Sequence, residues 1–330
     1  MTVLVTGGGG FLGKSIIRAL LDRNIATRSL CRGDYAWLRE WGVDARQGDV
    51  ANAQAVLDAV EGCDAVFHVA ARVDIWGPYA QFYATNTQGT LNVIDACRAH
   101  GVGKLIYTST PSVVHGGDAV SGVDESAAYP DHFEAHYPAT KALAEQAVLA
   151  ANSPELSTVA IRPHLVWGPG DTSMMPRVIA KARAGRVRMI GAPQKIDTVY
   201  IDNAVDAHLA AYERLGPSAA IAGRAYFVTQ GEPLEGPAFI NDLLGAAGLP
   251  PVTKTVSVGV ARAIAAVVEG VWSLLRLEAE PPLTRFVVSQ LSTAHWYDIS
   301  AARRDLGYAP KVSYAEGMER LRAWVQNYPL

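Results

Sequence analysis

Only three cysteines occur in 330 residues, at positions 31, 63 and 97. An odd number, set so far apart, makes no disulfide framework. It predicts small core residues in a reducing compartment, the cytoplasm. The eight histidines are dispersed, and no pair has metal-ligand spacing, so no metal is expected. A formal charge of −3 lacks the basic excess that nucleic acid would require. Charged residues make up only 18% and apolar residues 49%, which excludes a disordered chain and allows a large core. The first apolar run, Val3 to Val5, starts too early and is too short for a signal peptide.

One apolar stretch, 256–277, is long enough to cross a bilayer. It carries Arg262, Glu269 and Arg276, and a charge near the bilayer centre costs roughly 2.5–3.5 kcal/mol. Spaced by seven, the three charges fall on one stripe of a helix. The pattern predicts a helix mostly buried in the second half of the fold. A helix lying on a membrane surface or against a partner protein is the alternative.

What is present is alternation. Strand-like runs at 2–6, 64–71, 104–110 and 157–163 are separated by helix-like segments such as 79–101. Strands alternating with helices pair in parallel through right-handed crossovers. The expected fold class is α/β, a doubly wound parallel sheet of Rossmann type. Residues 1–165 read as a dinucleotide-binding domain. Residues 166–330, richer in proline and less regular, read as a smaller substrate domain with some segments returning to the sheet.

The first strand runs into "TGGGGFLG". Gly7, Gly10 and Gly13 allow a tight turn and close backbone approach to a pyrophosphate, and Phe11, Leu12 and Gly13 open a helix whose N–H groups and dipole favour an anion. Gly8 and Gly9 read as permissive loop positions. The second strand ends with Cys31 where an NAD site usually has an acid, and Arg32 follows. A guanidinium pairs with a 2′-phosphate that a carboxylate would repel, so NADP(H) is favoured and NAD(H) stays open. Asp34 is read as a cap of the next helix. Asp49 and Val50 follow the third strand, where the aspartate serves either the adenine or its own turn. Ala70 and Ala71 are small enough for a cofactor to lie over them.

Ser109 and Thr110 end the strand at 104–110, and Tyr137 and Lys141 share a face of the next long helix. Ketone reduction needs a hydride and a proton. A phenol with pKa about 10 is a poor proton exchanger at neutral pH, and moving it to about 7 takes roughly 4 kcal/mol, which a cation one helical turn away could supply.

This order of parts resembles the short-chain dehydrogenase/reductase superfamily. The "TGGGGFLG" loop, "IRPHLVWGPGD" and "VYIDNAVDAHLAA" are similar to its extended members, and "HYPATKALAEQAVLAAN" to the 3β-hydroxysteroid dehydrogenase branch. The resemblance implies Tyr137 as proton donor and Lys141 bonded to the nicotinamide ribose. It also implies a hydroxyl from Thr110, with Ser109 in reserve, on the substrate carbonyl, support from Asn86, and Pro163 with His164 beside the nicotinamide. "CRGDYAWL", "IYTSTPSVVH" and "EPPLTRFVVSQLSTAHWY" resemble the bacterial reductases of head-to-head long-chain olefin biosynthesis.

That branch implies an apolar β-keto acid substrate with two long alkyl arms. Its product, a 2-alkyl-3-hydroxyalkanoate, passes to a partner enzyme that forms a β-lactone, so a multienzyme assembly, a homodimer and peripheral membrane contact are all open. Trp76, Tyr79 and Phe82 either wall the substrate or fill the core. His115, Arg72 and Arg285 are candidates for its carboxylate. A 3β-hydroxysteroid dehydrogenase and an NADPH-binding redox sensor are the alternatives; the sensor would be expected to lose the tyrosine.

Overall fold

The computed structural model describes residues 1–327. Seven parallel strands form the main sheet: β1 (Thr2–Thr6), β2 (Ala26–Cys31), β3 (Asp44–Gln47), β4 (Ala65–His68), β5 (Lys104–Thr108), β6 (Ser157–Pro163) and β7 (Arg224–Val228). Their spatial order is β7-β6-β5-β4-β1-β2-β3, a doubly wound Rossmann arrangement. Alternate residues feed two hydrophobic layers. Val3, Val5, Phe67 and Ile106 enter one, and Leu4, Val66 and Leu105 enter the other. Strands buried on both faces must be apolar throughout, which is why they read as continuous runs.

The order reverses between β1 and β4, and ligands of such sheets bind beyond the carboxyl ends of the strands near that point. The chain after residue 165 does more than build a separate lobe. Strand β7 closes the sheet beside β6, and helix Ile201–Arg214 packs on the first helix, α1 (Phe11–Leu21). A four-stranded mixed sheet contains Val120–Val123, Lys195–Ile196, Leu234–Glu235 and His295–Tyr297.

Two expectations are corrected. The segment 79–101 is not one regular α-helix: residues Tyr83–Gln88 form a π-helical turn between α-helical pieces. Its wider backbone spacing brings Asn86 and Thr87 into the interior, where both bond Thr140. The helix Val258–Leu274, here α3, is not mostly buried either. Only Ala261 and Ala265 are fully covered, in a small cluster with Val288 and Ile190. Small residues on one line let helix Arg285–Ser292 pack closely, and that narrow contact leaves Val267 and Leu274 68% and 81% exposed. Glu269 pairs with Arg285 at 2.6 Å, and Arg276 lies beyond the helix end. Among the described residues no helix is long and apolar enough to cross a membrane.

Candidate active site

The glycine loop is shaped by collision. Gly7 has φ +72°, and a Cβ there would stand 2.8 Å from the Ala70 backbone. A Cβ on Gly13 would stand 2.3 Å from the Gly7 carbonyl, so α1 lies directly against the turn. Gly8 and Gly9 are not merely permissive. A Cβ would meet Ser29 Oγ at 2.1 Å in the first case and the Tyr35 ring at 2.1 Å in the second. Tyr35 thus covers the loop, a contact with no local signature.

Gly10 caps α1 with no side-chain hydrogen bond, and the first turn holds no acid. The N–H groups and dipole at Phe11, Leu12 and Gly13 therefore suit an anion. Asp34 does not cap the next helix; Arg39 holds it at 2.6 Å, while Tyr35 takes the N-cap. That pairing takes up the carboxylate two positions after Arg32, which is exposed. Asp49 accepts the Ala51 N–H at 2.9 Å and so shapes its own turn, and Val50 is buried under Gly89. Thr6 Oγ1 accepts the N–H groups of Val69 and Ala70, fixing Ala70 and Ala71 over the sheet edge. This uncapped, glycine-lined cradle fits a dinucleotide.

Beside it, Ser109 and Thr110 leave β5. Ser109 Oγ is buried with no hydrogen-bond partner, an orphan that a ligand oxygen would satisfy. Thr110 caps the short turn Pro111–Val114 through the Ser112 N–H at 3.2 Å. Its hydroxyl also reaches the Tyr137 phenol, on the helix α2 (His136–Ala150). Burial pushes that phenol up to about 12, and the Thr110 bond works against the rise. Lys141, one turn on, is 2% exposed. Burial lowers its ammonium to about 7, against the opposing pull of Glu145. It donates to the Thr108 carbonyl at 2.6 Å and lies 4.1 Å from the Tyr107 ring centre. Burial therefore moves the phenol away from 7 and brings the amine to it, the reverse of the simplest sequence expectation. The phenol keeps its proton at neutral pH, and the neighbouring amine can carry charge or lose it.

Asn86 clamps the group from behind. It accepts the Arg72 N–H at 2.7 Å and donates to the Arg72 carbonyl and to Thr140 Oγ1, which bonds the first turn of α2. The loop after β4 is thereby tied to the helix that carries Tyr137.

The other candidates scatter. Tyr79 packs edge-on to His136, next to Tyr137. Trp76 donates to the Leu277 carbonyl at 3.0 Å. Phe82 is core, 1% exposed under the Arg72 guanidinium. Arg285 is spent on Glu269, and Arg72 lies 3.1 Å from Asp74. Pro163 ends β6, but His164 turns into a buried cluster with His295 and His115. Sequence reasoning missed that cluster because its members come from three distant segments. It also missed the partner of Glu145. Eight residues after Tyr137 and four after Lys141, Glu145 continues their face and binds Arg162 through two bonds of 2.9 and 2.6 Å. Among the described residues no group of histidines, cysteines and acids could hold a metal.

A doubly wound sheet with a glycine-rich first turn, paired hydroxyls after β5 and Tyr137 with Lys141 on one helix face defines an NAD(P)-dependent oxidoreductase of the extended short-chain dehydrogenase/reductase class. Residues 4–256 match the 3-beta hydroxysteroid dehydrogenase/isomerase family, and the chain belongs to it. A 2-alkyl-3-oxoalkanoate reductase of Stenotrophomonas maltophilia is 52% identical, over 98% of this chain and 99% of its own. A protein of the same name from Shewanella oneidensis is 45% identical over 97% and 85%. In fold the chain is similar to the UDP-glucuronic acid 4-epimerase of Bacillus cereus in complex with NAD, with TM-score 0.76, 21% identity and 99% of each chain covered.

Proposed function

We propose that this protein reduces the 3-ketone of a long-chain 2-alkyl-3-oxoalkanoate to the 2-alkyl-3-hydroxyalkanoate, as a step of olefin biosynthesis. The observation that carries the reading is the 52% identity, along almost the whole of both chains, with a reductase of that name. The complete Tyr137, Lys141 and Thr110 group supports it.

Residues 1–165 hold the coenzyme: Gly7, Gly10 and the α1 N-terminus its pyrophosphate, Asp49, Val50, Ala70 and Ala71 its adenosine edge, Lys141 and Pro163 its nicotinamide end. The reduced coenzyme, when bound, supplies the hydride. Thr110 and Ser109 hold the ketone oxygen and stabilise the negative charge that grows on it. Tyr137 gives that oxygen its proton, and a phenol near 12 is fully protonated and ready to do so. The phenolate left behind is stabilised by Lys141, whose amine near 7 is easily protonated. Asn86 keeps α2 in place throughout.

The preferred coenzyme is NADP(H). Cys31 leaves the second strand without an acid, Arg39 occupies Asp34, and Arg32 stands exposed beside them. Arg32→Glu is expected to weaken NADPH at least tenfold more than NADH in fluorescence titration. Equal losses for the two would remove Arg32 from the coenzyme site.

The activity itself is tested by NADPH oxidation with a panel of 2-alkyl-3-oxo acids and 3-ketosteroids. Turnover of the keto acids supports the reading; turnover of steroids alone replaces it with a steroid dehydrogenase.

A further inference from the structure

A second cavity, of about 170 Å³, has no part in the chemistry above. Leu165, Met174, Val178, Ile196, Phe239 and Leu243 wall it, and Arg188, Gln194, Gln290 and His295 are its polar lining. It adjoins the catalytic strand ends through three consecutive residues: Pro163 ends β6, His164 enters the histidine cluster, and Leu165 lines the cavity. Leu165 has φ +43°, a left-handed conformation that a branched side chain adopts only when its surroundings enforce it.

The one charge on the lining is exposed Arg188, which donates to the Gly185 and Val187 carbonyls; the histidine side carries none. His295 Nε2 lies 2.7 Å from the Gln290 carbonyl, which can only accept, so Nε2 holds the proton. His295 Nδ1 must then accept from His164 Nε2, also at 2.7 Å. Burial lowers the pKa of both rings, which keeps them neutral. The histidine side of the cavity is therefore uncharged, and most of its walls are aliphatic and aromatic.

We propose that this cavity receives one alkyl arm of the 2-alkyl-3-oxoalkanoate, an inference that rests on the function proposed above. Its largely apolar walls suit an alkyl chain, and its extent sets how much of the arm is felt.

Gly236 lines this cavity, and a Cβ there meets only Gln194 O and Ile196 at 3.6–3.7 Å, ordinary contact. Gly236→Leu adds a side chain of four carbons to the cavity wall. With the unaltered enzyme, kcat/KM is expected to rise about fourfold per carbon of that arm, then level off once the cavity is filled. In Gly236→Leu the rise should end about four carbons earlier, so that the long-arm to short-arm ratio falls at least fiftyfold. Val178→Phe, which fills the cavity from another helix, should shift the profile the same way, and it covers the case in which Gly236→Leu fails to fold.

Calorimetric binding of linear fatty acids of four to ten carbons makes the test without turnover. Affinity should rise with length in the unaltered protein and not in the filled variants. The same length dependence in all three would overturn the cavity assignment, even where every one of them reduces keto acids. Failure of all three to reduce any keto acid, with the binding profile as expected, would instead sink the substrate reading alone.

Discussion

Tyr137→Phe is expected to lower ketone reduction by about 10³-fold while leaving coenzyme affinity within a few-fold of the unaltered enzyme. The phenylalanine keeps the ring and its packing and removes only the hydroxyl that faces Thr110. Its loss leaves the developing alkoxide with no proton donor, because burial holds Lys141 against the Thr108 carbonyl. Proton transfer belongs to the transition state, so kcat and kcat/KM should fall together with KM little changed. Stopped-flow turnover at saturating NADPH measures this. A variant retaining a tenth or more of the activity would remove Tyr137 from the mechanism.

Glu145→Gln is expected to destabilise the fold by about 3–5 kcal/mol. Glu145 and Arg162 are 0% and 2% exposed, and Tyr129 adds a third bond to the carboxylate at 2.7 Å. The amide cannot balance the guanidinium, which is left buried with its charge uncompensated. Arg162 Nη1 already lacks a partner, so there is no second acceptor to fall back on. The urea midpoint should drop with an unchanged slope. Replacing both partners, Glu145→Gln with Arg162→Met, should recover much of the loss, because the cost lies in the orphaned charge. A single variant within 1 kcal/mol of the parent would refute this account of the pair. Arg162 precedes Pro163 on β6, so the same ion pair holds the strand end that borders the site.

Strands, glycine loop and catalytic helix were legible because each is written locally. Val3 to Val5 and Ala65 to His68 are apolar runs that only a sheet covered on both faces can bury. Gly7 and Gly13 mark a turn where any side chain collides. Tyr137, Lys141 and Glu145 share a face by helical spacing alone. What could not be read depends on partners far along the chain. The π-helical turn at Tyr83–Gln88 exists to let Asn86 meet Thr140, 54 residues later. The bond between His164 and His295, 131 residues apart, has no local signature either. The exposed face of α3 has the composition of a buried helix, and only the narrowness of its contact with Arg285–Ser292 decides otherwise.

The most direct test follows the hydride. NADPH deuterated at the transferable nicotinamide position is mixed with the enzyme and a long-chain 2-alkyl-3-oxo acid, and the product is analysed by mass spectrometry. One deuterium at carbon 3 of a 2-alkyl-3-hydroxy acid, formed in step with NADPH consumed, is the expected result. Keto acid recovered unlabelled, while a 3-ketosteroid takes up the label under the same conditions, would contradict it.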